Sequence, residues 1–160
     1  MFVYSFVSCD NFFGISDYSS PATDIAEAKN NNLLINTYQP SIDKIHIGNE
    51  EYLIIEAWTS YRFKTKNEKK INKSFYDFQV KLKNTTLNKN GLSFKVISNY
   101  RKYLKFYDNN GDLTNGLITN DNINLINEEK EEKNKFDKIT IGFTDYKNEE
   151  VFVIFKKIND

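Results

Sequence analysis

A chain of 160 residues with 39% hydrophobic, 28% charged and 15% aromatic side chains has the size and mixture of one domain with a single core, and that aromatic content excludes disorder over most of its length. Lys plus Arg, 22, equals Asp plus Glu, 22, so no net charge draws the whole protein to nucleic acid or to an anionic membrane. One Cys and one His exclude an internal disulfide framework and a His/Cys metal cluster, so neither a metal nor a cofactor is expected. The charge balance hides segregation. Residues 1–50 carry 2 basic against 6 acidic side chains, residues 61–105 carry 13 against 2, and residues 106–160 carry 7 against 12.

At the amino terminus, Met1 to Ser8 is uncharged and largely apolar and stops at Cys9-Asp10. Phe6-Val7-Ser8-Cys9 resembles the lipobox of exported bacterial lipoproteins, with a large apolar residue three before the cysteine and a small one directly before it. The resemblance implies that residues 1–8, which lack a basic start, are the remnant of a signal peptide. It further implies that Cys9 carries lipid and that the protein is anchored to the membrane of a bacterial cell envelope. Residues 9–40 would then be a tether, with a short helix from Ser20 to Lys29, where cap residues and early acids precede a late Lys. The other reading of Cys9 is a small core cysteine in an N-terminal strand, Phe2 to Val7, of a cytosolic protein. No stretch reaches the roughly 18 to 20 apolar residues that a spanning helix needs.

Residues 41–160 show the period of two that marks half-buried strands. Ile45-His46-Ile47, a Gly48-Asn49 turn and a second arm running from Tyr52 through Trp58 to about Lys66 predict a hairpin. Further strands are expected near Phe75 to Lys83, Leu92 to Ile97, Tyr103 to Tyr107, Ile139 to Phe143 and Val151 to Ile158. Asp108 to Asp112 reads as a hairpin turn leading from Tyr103–Tyr107 to Leu117-Ile118; as a calcium loop it fails, because Leu113 stands where the loop needs glycine and Thr119 where it needs an acid. Asn120 to Lys135 reads as a solvated loop or a helix end. About seven strands joined by short polar loops, with no βαβ crossover, predict a mostly β fold, an antiparallel, immunoglobulin-like β-sandwich.

Within the basic segment, alternation places Arg62, Lys64 and Lys66 on one side of a strand and Tyr61, Phe63 and Thr65 on the other. The same reading turns Lys81 and Lys83 outward from Phe78, Val80 and Leu82, and Lys95 outward from Phe94. Were these strands neighbours, the six cations would form a ligand-binding patch for an anionic glycan, a lipid headgroup or an acidic protein. The competing reading is a sheet face kept soluble by lysine, with the acidic termini neutralising it in space. Nucleic acid is disfavoured as a partner, because Tyr61, Phe63, Phe78 and Phe94 fall on the side away from the cations.

Catalytic signals are weak. His46, the single histidine, sits in the predicted hairpin, and no Gly-x-Ser-x-Gly turn, phosphate loop or dinucleotide motif occurs. The paired acids Glu50-Glu51 and Glu149-Glu150 lie in turns. Trp58 reads as a core anchor rather than an exposed stacking platform. The expected function is therefore binding without catalysis or cofactor, by an exported, membrane-anchored module. The alternatives are a small inhibitor or immunity-type protein that occludes a partner enzyme, and a hydrolase whose carboxylates converge from distant strands.

Overall fold

The computed structural model describes residues 18–158 apart from 66, 68, 115, 120, 121 and 129–135. The lipobox-like segment, Cys9 and Lys66 lie outside the described residues. The chain is mostly β, as its periodicity predicts. Its architecture is one antiparallel sheet of 11 strands curled into a half-barrel, in place of the two separate sheets expected of an immunoglobulin-like sandwich.

The elements in chain order are helix α1 (Ile25–Asn30), strands β1 (Leu34–Pro40), β2 (Lys44–Ile47), β3 (Glu50–Phe63), β4 (Ile71–Asn84) and β5 (Lys89–Asn90), and helices α2 (Phe94–Ser98) and α3 (Tyr100–Tyr103). Strands β6 (Leu104–Tyr107), β7 (Leu113–Thr114), β8 (Leu117–Thr119), β9 (Asn122–Glu128), β10 (Lys138–Thr144) and β11 (Glu150–Lys157) follow. The sheet runs β7-β6-β10-β11-β1-β3-β4-β9-β8, with β2 on β3 and β5 on β4 as side branches.

Strand β1 explains why there is one sheet and not two. Its first half pairs with β3, Thr37 opposite Trp58, and its second half pairs with β11, Tyr38 opposite Lys157. Residues 34–40, expected within the tether, thus form the central seam of the sheet. Curvature comes from β3 and β4, each 14 residues long. Ile54 opposes Leu82 and Glu56 opposes Lys81, so Ile55 is the extra residue of a bulge and is 47% exposed. A second shift separates the Tyr61–Tyr76 pair from Arg62–Asn72. Bulges bend and twist a strand, which lets a long hairpin wrap a core.

That core lies on the concave face, where Phe78, Val80 and Leu82 of β4 meet Ile139, Ile141 and Phe143 of β10 and Val153 and Phe155 of β11, all fully buried. The two ends of the sheet, β7 and β8, are consecutive in the chain, joined by residues 115–116. Gly116 sits between β6 and β9, at the seam where these ends approach: a Cβ there would lie 2.5 Å from the Phe106 ring and 2.6 Å from Leu125 Cδ2.

The hairpin predicted around Gly48-Asn49 is present, with Ile47 opposite Glu50 and Gly48 at φ +57°. Three local expectations are corrected. Leu92 to Ile97 does not form a strand: Ser93 caps α2 by accepting from Val96 N at 3.3 Å, and Phe94 is 77% exposed. Residues 122–128 are neither loop nor helix, because their backbone completes the free edge of β4, Phe78 opposite Leu125. The turn Asp108–Asp112 returns to Leu113–Thr114, while Leu117-Ile118 pairs with β9.

Candidate functional site

Alternation along β3 and β4 does put Arg62, Lys81 and Lys83 on the outer face, with Trp58, Ser60, Asp77 and Gln79. That face is covered by residues 18–33. Arg62 is buried and donates from Nε and Nη2 to Asp77 at 2.8 and 2.9 Å. Lys81 stands opposite Glu56 and reaches Asp24 of the acidic N-terminal segment at 4.0 Å. Lys83 is half-buried, Lys64 is exposed just beyond β3, and Lys95 belongs to α2 rather than to a neighbouring strand. The expected cations therefore do not form one patch; the acidic segment packs over the basic strands and neutralises part of them. Trp58 is buried as expected, but on the outer face, against Ala22 and Ala28.

His46 is exposed on β2 with Glu51 as its cross-strand partner. Glu50, read from sequence as a hydrated turn residue, instead accepts the Ser93 hydroxyl at 2.5 Å and the Tyr52 hydroxyl at 3.3 Å. Asn84 Nδ2 and Ser93 N complete the cluster by donating to the Tyr52 oxygen at 3.0 and 3.1 Å. Burial raises the Tyr52 pKa, and the neighbouring Glu50 carboxylate adds to that. The cluster ties the β2–β3 hairpin to α2 and leaves its hydroxyls occupied with one another.

One mouth of the half-barrel holds a small cavity of about 200 Å³ walled by Tyr38, Tyr61, Tyr76 and Phe136. Tyr38 donates its hydroxyl to Phe136 O at 2.5 Å, and an ion pair between Lys157 and Asp137 crosses the rim. These groups satisfy each other within the cavity walls.

A larger groove of about 590 Å³ follows the seam where the sheet ends meet. Its walls are Tyr100, Arg101, Leu104, Lys105 and Phe106 on one side and Leu113, Thr114, Gly116 and Leu117 on the other. Gly116 sets the depth of the floor, since any side chain there would collide with Phe106 and Leu125. Arg101, exposed, donates from Nε to the Tyr100 hydroxyl at 3.3 Å and lies with Cζ 5.8 Å from the centre of that ring. Lys105 and Lys102 are exposed alongside, and among the described residues no acidic side chain lines the groove. Leu113, 68% exposed, supplies an apolar lip and Thr114 a hydroxyl. Such an arrangement can hold an anionic group by guanidinium and ammonium while an apolar portion rests on Leu113 and the tyrosine. Sequence reasoning counted Arg101 and Lys105 within the basic segment but did not gather them into a site. Their convergence with Thr114 and Gly116 depends on how the sheet curls.

Among the described residues no helix is long and apolar enough to cross a membrane, and no group of three or more His, Cys, Asp or Glu side chains converges. Searches against protein-family models, curated proteins and solved structures find no match to this chain.

Proposed function

We propose that the protein is a binding module that works without catalysis, anchored at a bacterial envelope through Cys9, and that its ligand is an anionic group held in the seam groove. The observation that supports this reading is Arg101, set against the Tyr100 ring beside Lys105, in a groove that no acid lines among the described residues. The basic strands first singled out by sequence serve it poorly, because Arg62 and Lys81 already have acidic partners. The seam groove takes over the role expected of that face, with the same ligand classes: an anionic glycan, a lipid headgroup or an acidic protein.

Titration of the protein with inorganic phosphate, followed by amide shifts in two-dimensional NMR, tests the groove. Shifts should centre on residues 100–106 and 113–117, weaken as salt rises, and fall at least tenfold in affinity in R101E/K105E. The triple variant K64E/K81E/K83E should bind as the parent does. Loss of binding in the triple variant with retention in R101E/K105E would return the ligand to the basic strands.

The inhibitor reading finds support in one feature: two large apolar side chains are exposed, Phe94, 77% exposed at the start of α2, and Leu87, 52% exposed in the β4–β5 turn. Projecting apolar side chains of this kind suit insertion into a partner's cleft. Phe94→Asp would abolish such capture and leave phosphate binding intact.

A further inference from the structure

The segment from Ser19 to Ile25 crosses the outer face of β3, β4 and β9, and the sheet holds it mainly through its backbone. Ser19 N donates to Phe63 O at 2.9 Å, and Phe63 N donates to Ser19 Oγ at 2.9 Å. Gln79 Nε2 donates to Ala22 O at 2.7 Å, Asn122 Nδ2 to Thr23 O at 3.2 Å, and Ile25 N donates to Glu56 Oε2 at 3.0 Å. Groups that read carbonyls and amides accept any chain of suitable shape. Its side chains add the Ser19 hydroxyl, the Asp24 carboxylate 4.0 Å from Lys81, and Ala22 with the α1 residue Ala28 on Trp58, Ile25 at the side. Ser20 and Thr23 face solvent.

The floor beneath it is polar and incompletely matched. Trp58 Nε1 and Ser60 Oγ are buried and have no hydrogen-bond partner among the described residues. Trp58 is fully buried and Ser60 equally so, and they stand opposite Gln79 and Asp77 on the same face. A buried donor without a partner is an unmet demand of the site, and Ala22 and Ala28, which pack on Trp58, supply no side chain able to answer it.

We infer that the outer-face groove over Trp58, Ser60 and Gln79 is a binding site for an extended peptide of a partner protein, occupied in this structure by the chain's own residues 19–25. The partner peptide has a small residue in the Ala22 position and, next to it, a side chain that accepts hydrogen bonds, Asn, Asp, Gln or Glu, to meet Trp58 Nε1 and Ser60 Oγ. The intramolecular segment keeps the groove closed, and a peptide that satisfies both orphan groups displaces it. Displacement swings on Asn31-Asn32, which are exposed, with Asn32 at φ +58°. This site is separate from the seam groove and does not depend on it.

Trp58 is the only tryptophan, so its emission reports the cover directly. In the full chain, Ala22→Glu cannot fit the buried position and should release the segment, moving Trp58 emission to the red while far-UV circular dichroism keeps its β character. Added in trans, a synthetic peptide of residues 18–30 should return the emission to the blue saturably. Peptides carrying Asn in place of Ser20, Pro21 or Thr23 complete the series, and at least one should bind tenfold more tightly than the native sequence. A folded A22E chain that binds none of these peptides, or binds the native one best, overturns the proposal. Should A22E fail to fold, hydrogen exchange of the unaltered chain decides: the amides of Ser19, Ile25 and Ala28 should exchange at least a hundredfold faster than Ile141 in β10, and equal rates overturn it.

Discussion

The guanidinium of Arg62 meets the carboxylate of Asp77 side-on, Nε to Oδ2 at 2.8 Å and Nη2 to Oδ1 at 2.9 Å, with both side chains all but removed from water. The pair forms because Ser60, two residues before Arg62, stands directly opposite Asp77 across the β3–β4 ladder, and residues 18–33 then cover both. Removing charges from water is costly, and two good hydrogen bonds offset that cost only while both partners remain.

Breaking the pair from either side should therefore destabilise the fold strongly. Arg62→Met or Asp77→Leu alone is expected to lower stability by about 3–5 kcal/mol, whereas R62M/D77L together should recover most of it. Urea denaturation of the three variants measures this, and additive single losses in the double variant would contradict it.

Gly116 is required for close packing at the seam. Gly116→Ala forces the Phe106 ring or Leu125 aside and is expected to cost about 1–3 kcal/mol. Phosphate affinity should fall with it, because the same residue sets the groove floor. Thermal melting together with the NMR titration separates the two effects.

Tyr38 tests the other end of the barrel. Its hydroxyl donates to Phe136 O, and Tyr38→Phe leaves that carbonyl without this donor, for an expected loss of about 1–3 kcal/mol. Burial raises the Tyr38 pKa well above the ordinary tyrosine value near 10, with the Asp137 charge adding to it. The folded state then holds its proton where the unfolded state releases it. Tyr38 thus makes stability fall as pH rises above about 10, while leaving it flat below. The slope above pH 10 should be shallower in Tyr38→Phe; Tyr52, shifted the same way by burial, supplies a remaining part of it.

Ser93 serves two neighbours at once, accepting from Val96 N as the α2 cap and donating to Glu50 Oε1 at 2.5 Å. Ser93→Ala should cost about 1–2 kcal/mol. Ser93→Thr keeps both interactions and should recover part of that. Equal losses in the two variants would assign the effect to packing instead of to hydrogen bonding.

Periodicity alone revealed the long hairpin arms, because Phe78-Val80-Leu82 and Ile139-Ile141-Phe143 alternate with polar residues, and a strand with one buried face must alternate. The Gly48-Asn49 turn was legible for an equally local reason, the tolerance of both residues for positive φ. Leu92 to Ile97 misled for a local reason as well: six residues carry no period long enough to distinguish a strand from a single helical turn, and the hydrogen bond from Val96 N to Ser93 Oγ decided it.

Sequence by itself determined that this is a β protein, which arms pair as a hairpin and on which face of β3 and β4 the cations Arg62, Lys81 and Lys83 stand. Only the tertiary structure decided that the sheet is single, through β1 pairing with both β3 and β11, and that the basic face is covered, through the acidic segment folding back over it. It also brought Arg101 and Lys105 to the seam beside Gly116. The physical reason is one of range. Alternation and turn chemistry act between residues a few positions apart, whereas which strand lies beside which, and what covers a face, depends on contacts between segments separated by tens of residues, whose free energy no local pattern encodes.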